Sequence, residues 1–97
     1  MSEEKVESIL RDVSPEQCFW ASNGGIAKNL QELESVIDGM DKRVFSNHVN
    51  KGKNDFSKWV ADVLGDSELT IRLNETRSKA MTQLFIVKRV LELSSVK

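Results

Sequence analysis

Residues 45 to 66 read FSNHVNKGKNDFSKWVADVLGD, and the helix boundaries written into this stretch decide the fold class. Asn54 is a suitable N-cap, because its side-chain oxygen can accept from a first-turn backbone N–H that has no partner inside the helix. Asp55 then sets a carboxylate at the positive end of the helix dipole. Phe56, Trp59, Val60 and Val63 follow at i, i+3, i+4 and i+7, with Leu64 at the edge of the same face. Gly65 can take the left-handed backbone just past the helix end. Asp66 can cap the next helix at once, with Glu68 in its first turn. Asp55, Lys58 and Asp62 are left on the outer face at spacings that allow weak ion pairs. The spacing predicts a core helix with Trp59 buried.

Working outward toward the C-terminus, Leu69 and Leu73 mark a helix that fades near Asn74, Glu75 and Thr76. Thr76 or Ser78 can start the last helix. There Met81, Leu84, Phe85, Ile86, Val87, Val90, Leu91 and Leu93 are apolar nearly all round, interrupted by Lys88 and Arg89. A helix that is apolar on most sides lies at the centre of a fold or contributes to an interface. With Lys88 and Arg89 placed outward, Ile86 or Val87 still needs cover, so self-association through residues 81–93 is the expectation. The apolar pattern is too short for a coiled coil.

Toward the N-terminus, Asp41 can cap a short helix with Val44, Phe45, His48 and Val49 on or near one face, and residues 50–53 (NKGK) form a loop into the central helix. Asn29 opens an N-x-x-E capping box with Glu32, ahead of the buried stripe Leu30, Leu33, Ile37 and Met40. Gly39 weakens the end of that helix. Cys18 to Ser22 is apolar and aromatic, and the turn signal Asn23-Gly24-Gly25 behind it predicts a small β-ribbon near residues 18–28, returning through Ile26 to Lys28. Phe19 and Trp20 could form a stacking platform; a lid on the core is preferred, since a small domain needs its few aromatics for burial. In the first helix Ser2 is the cap, Glu3 and Glu4 occupy the opening turn, Val6, Ile9, Leu10 and Val13 make the stripe, and Pro15 stops the pattern.

The run HVNKGKNDFSKWVADVLGDSEL, residues 48 to 69, resembles the signature HV…NDF..W..DV..D.EL of a family of small archaeal and bacterial proteins of uncharacterised function. FWASNG at 19–24 and LQEL at 30–33 resemble the upstream parts of that pattern, so the likeness extends from Phe19 to Leu91. Thr70 departs from it, where the pattern favours a small apolar residue. The resemblance implies no activity, cofactor or catalytic residue.

Ninety-seven residues make one domain, and 39% hydrophobic with 30% charged residues is ordinary for a soluble globular chain. A single cysteine, Cys18, excludes an internal disulfide and a cysteine-based zinc site. The opening MSEEKVES is acidic where a secretory signal is basic, and no apolar run is long enough to span a bilayer, so the expected location is cytoplasmic with no membrane partner. The formal net charge is −1 but is unevenly spread. Residues 1–41 hold three bases and nine acids, whereas residues 42–97 hold eleven bases and six acids. Two halves of one small fold attracting each other account for this without a partner.

No motif assigns a chemistry. Asn23-Gly24-Gly25 lacks the spacing and trailing lysine of a phosphate loop. Asp62 and Asp66 straddle a helix end and do not form a glycosidase pair. His48 has no companion His or Cys for a metal and no nucleophile at motif spacing. With Asn50, Asn54 and Asp55 it forms a candidate polar cluster, read first as structural because buried polar groups must find partners. Two base-rich stretches, Lys42, Arg43, Lys51 and Lys53, then Arg72, Arg77, Lys79, Lys88 and Arg89, are candidate polyanion contacts, foremost Lys42, Arg43, Lys51, Lys53, Arg77 and Lys79. The sequence therefore predicts a mainly α domain of about five short helices with one β-ribbon, and no metal or cofactor is called for. The function expected first is a small non-enzymatic protein-interaction module, with nucleic-acid or polyanion binding through the base-rich second half as the alternative.

Overall fold

The structure, a computed structural model, describes residues 3–95. Among these the chain is mainly α, with six helices and two antiparallel two-stranded ribbons. The helices are α1 (Glu3–Leu10), α2 (Leu30–Asp38), α3 (Lys42–His48), α4 (Asp55–Trp59), α5 (Ser67–Asn74) and α6 (Lys79–Ser94). The strands are β1 (Phe19–Trp20), β2 (Ile26–Ala27), β3 (Val49–Asn50) and β4 (Lys53–Asn54). No helix is long and apolar enough to cross a membrane among the described residues.

Capping side chains start five of the six helices. Asn29, Asp41, Asn54, Asp66 and Ser78 each accept from a backbone N–H of the following first turn, which satisfies donors that have no partner within the helix. At α2 the box differs by one position, since the Glu32 carboxylate accepts from the N–H of Lys28 and not from that of Asn29. The expected cap at Ser2 lies outside the described residues. Helix α1 ends at Leu10, so Val13 is buried outside it, and its N–H donates to the carbonyl of Lys28 at 2.8 Å. Chain extension toward Pro15 makes Val13 a partner for the end of β2 and removes it from the helical stripe.

The predicted ribbon forms with Phe19 opposite Ala27 and Trp20 opposite Ile26. The reading of both aromatics as a lid holds for Phe19 alone, because alternation along a strand sends neighbours to opposite faces. Phe19 is buried, while Trp20 is 64% exposed. The expected NKGK loop is a second ribbon, with Val49 opposite Asn54 and Asn50 opposite Lys53. The Asn50 side chain accepts from the N–H of Gly52 at 3.0 Å, an Asx turn that closes the two-residue connection.

The central helix is regular only to Trp59; residues Val60–Leu64 wind as a π turn, closed by the N–H of Gly65 on the carbonyl of Val60 at 2.8 Å. Gly65 has φ of 71°, a conformation that costs a residue with a Cβ. The wider turn carries Leu64 onto the core face beneath Val60 and leaves Val63 half-buried. The carbonyls freed at this end accept from Arg11 (Val63 O, 2.8 Å) and Lys5 (Gly65 O, 3.0 Å). Cations at a helix C-terminus complement its dipole.

Phe56 is the hub of the aromatic core, with ring centroids of Phe19, His48 and Phe45 at 5.2, 5.5 and 5.7 Å. Trp59 is buried as predicted and donates its indole N–H to the carbonyl of Gln17 at 2.8 Å. Helix α6 lies antiparallel to α2. Lys79 donates to the carbonyls of Asp38 and Met40 at one end, while Leu30, Val90 and Ser94 share a cleft at the other. Its other neighbours are α5 and α1.

Candidate functional site

Of the polar cluster predicted around His48, the structure joins His48 to Asp55, while Asn50 and Asn54 each make separate bonds of their own. His48 ends α3, and its Nε2 accepts from the N–H of Ser22 at 3.0 Å. An acceptor at Nε2 places the neutral ring's proton on Nδ1, 2.9 Å from Asp55 Oδ2. The same carboxylate oxygen accepts from Lys53 Nζ at 3.0 Å. Asn54 caps α4 and donates from Nδ2 to the carbonyl of Leu73 at 3.0 Å, which ties the start of α4 to the end of α5. Asn50 donates to the carbonyl of Ser46 at 3.2 Å and holds the β3–β4 turn. With the ring packed between Phe19 and Phe56 and both nitrogens engaged, His48 fastens the β1–β2 turn to the start of α4. Acting as a base would require it to release Ser22. Among the described residues no group of three His, Cys, Asp or Glu side chains could hold a metal ion.

The basic residues divide into tethered and free. The sequence expectation of an outward Arg89 does not hold: the side chain lies inside, 4% exposed, against Asp66 at 2%. The pair is bidentate, Nε to Oδ2 at 2.7 Å and Nη2 to Oδ1 at 3.0 Å. Arg89 Nη1 reaches Glu68 at 2.8 Å, and Arg72 bridges Glu68 and Glu92 at 2.9 Å each. Burial pulls the Arg89 guanidinium toward deprotonation, but the hydrogen bond and charge of Asp66, joined by Glu68 and Glu92, outweigh it and hold the pKa above the ordinary value. The hydrogen bond from Arg72 holds the Glu92 carboxyl below its usual range. Arg72 and Arg89 are thus unavailable to an outside anion. Asp66 could not have been paired with Arg89 from the sequence, since 23 positions separate them.

Of the other candidate contacts, Lys79 is spent on the end of α2 and Lys53 on Asp55. Lys42, Arg43, Lys51 and Arg77 carry no hydrogen bond or ion pair to another described side chain. Arg77 lies between two clefts. One is lined by the β3–β4 turn with Asn74 and Thr76, the other by Lys42, Ser46 and the start of α6.

A further surface follows from the burial of Arg89. Rotating α6 so that Arg89, Thr82, Ile86 and Leu93 face inward turns Ala80, Leu84, Val87 and Leu91 outward. Leu91 is 62% exposed, and Leu84 and Val87 are exposed as well. These four fall at i, i+4, i+7 and i+11, a single stripe along the helix. Ile86, one of the residues thought to need cover, is fully buried, whereas Val87 is open. No family model, no curated protein and no solved structure matches the chain.

Proposed function

We propose that the chain is a protein-interaction module that pairs with a second copy of itself through the outer face of α6. The observation that carries this reading is the stripe Ala80, Leu84, Val87 and Leu91, apolar and exposed along a helix whose inner face holds a buried arginine. Contiguous exposed apolar surface marks a contact site more than scattered exposed residues do. The 4-3-4 spacing supports a second copy as the occupant. It is symmetric about a point between Leu84 and Val87, so an antiparallel two-fold pair sets Ala80 opposite Leu91 of the other copy and Leu84 opposite Val87. The small Ala80 then faces the large Leu91 at each end, so facing residues alternate in size and can interdigitate. Helix α6, 16 residues, is about 24 Å long at 1.5 Å per residue. One such stripe buries less than the roughly 800 Å² per partner of a standard interface, which places the pair with weak, concentration-dependent associations.

Sedimentation equilibrium over a wide concentration range tests the proposal. Wild type should shift from monomer to dimer, and Leu91→Glu or Leu84→Glu should remain monomeric with an unchanged circular dichroism spectrum. A wild type that stays monomeric at the highest concentration overturns it.

A further inference from the structure

We infer that the edge built by the β3–β4 turn and the entry to α6 binds the phosphate backbone of a single nucleic-acid strand, without reading its bases. Two clefts adjoin there, of about 390 and 540 Å³, and Arg77 lines both. Lys51 and Lys53 stand over the first and Lys42 and Lys79 over the second. Neither cleft is lined by a carboxylate. Lys42, Lys51 and Arg77 also lack an ion-pair partner among the described residues. This is a different condition from that of Arg72 and Arg89, which carboxylates neutralise within the fold. The chain's net charge of −1 is therefore no guide to this edge, where three uncompensated cations line one continuous track.

The remaining lining suits phosphate oxygens. Asn50 and Asn74 bring side-chain amides to the first cleft, and Ser46 and Ser78 bring hydroxyls to the second. The first turn of α6 opens at Ser78 into the second cleft, which adds the positive end of a helix dipole to the cations. Two clefts joined through one arginine fit successive phosphates of a strand better than one isolated anion. Among the described residues Phe45 is the one aromatic side chain lining either cleft, and it is buried, so no ring is offered for base stacking and the affinity is electrostatic. With three free cations, the logarithm of the binding constant should fall against the logarithm of salt concentration with a slope of about −2, at roughly 0.7 per phosphate contact for single strands.

Fluorescence anisotropy of a short labelled single-stranded DNA, titrated with the intact chain at low and at physiological salt, tests this. Binding should appear at low salt with a dissociation constant on the order of 10⁻⁵ M and weaken with the slope above. Arg77→Glu should weaken it at least tenfold and flatten the slope. Lys58→Glu makes the same charge change on the exposed side of α4, where Lys58 pairs with Asp62, and should leave binding within twofold. Arg77→Gln, with melting curves for all variants, separates lost contact from lost fold. Equal effects of Arg77→Glu and Lys58→Glu, or no binding at low salt, overturn the inference. Displacement of the strand by inorganic phosphate at matched phosphate concentration also overturns it, in favour of an isolated anion site.

Discussion

On its inner side α6 buries Arg89 and Thr82 beside Ile86 and Leu93; on its outer side it leaves Leu84, Val87 and Leu91 in solvent. Both sides of one helix thus run against the usual sorting of residues. The inner side can do so because Asp66, the cap of α5, and Glu68 in its first turn meet the guanidinium with direct hydrogen bonds and charge. A buried charge is tolerated only when it is paired in this way. The outer side has no corresponding compensation among the described residues. Where partners on α5 draw an arginine inward, the helix turns and apolar residues are carried outward. The exposed stripe is therefore the geometric counterpart of the buried ion pair.

The largest expected effect comes from breaking the inner side. Asp66→Ala leaves the Arg89 guanidinium buried against fewer charges and also removes the cap on Leu69 N–H. Denaturant melts should show a loss of about 3–5 kcal/mol, a large share of the stability of a domain of this size. If the pair serves geometry more than stability, Asp66→Leu with Arg89→Met should recover most of that loss, since apolar replacements of buried ion pairs are often neutral or better. A loss under about 1 kcal/mol for Asp66→Ala would mean that Arg89 swings out to water.

A smaller change sharpens the same side. Thr82 Oγ1 is buried without a hydrogen-bond partner among the described residues. Thr82→Val keeps the branched shape and deletes the unpaired hydroxyl, so it should raise stability by about 1 kcal/mol in the same melts. No gain would indicate that water reaches the hydroxyl.

Acid titration probes the rim between the two sides. Glu92 is held below its ordinary value of 4.5, chiefly by the hydrogen bond from Arg72. A carboxyl depressed in the folded state stabilises fully above its unfolded value, and that contribution is lost as pH falls through the folded one. Melting temperature should therefore begin to fall as pH drops below 4.5, and Glu92→Gln should show a shallower fall. Because Glu92 is exposed, the difference is small. Identical acid profiles for the two proteins would remove Glu92 from the network.

The smallest effect belongs to the outer side. Leu84→Glu or Leu91→Glu, measured at concentrations where the chain is monomeric, should change stability by no more than about 0.5 kcal/mol. The same substitutions on an inner position, Ile86→Glu, should prevent folding. If the outer substitutions prove equally damaging, the comparison between the two sides fails.

Much of this was legible from local spacing. The caps at Asn29, Asp41, Asn54 and Asp66, and Ser78 as one of two possible starts for α6, were readable because a cap bond spans only two or three positions. The burial of Phe56, Trp59 and Val60 follows from helical period. Of the candidate cluster, Asn50 and Asn54 could be placed by their turn and cap chemistry, whereas the contact of His48 with Ser22 spans 26 positions and had no local signal. The second ribbon at Val49–Asn54 differs from the expected loop, although Asn50 and Gly52 carry a turn signal for it.

By itself the sequence determined where most helices begin, that Phe56 and Trp59 share one buried helix face, and that α6 has more apolar surface than one neighbour can cover. Only the tertiary structure decided which way α6 faces. Its apolar residues surround most of the helix, so hydropathy sets no strong preference for one rotation over another. On the inward side Arg89 meets Asp66 and Glu68, which come within reach only once α5 and α6 have packed. The same packing separates tethered bases from free ones: a lysine or arginine reads alike in sequence whether or not a carboxylate from a distant turn comes within hydrogen-bond reach.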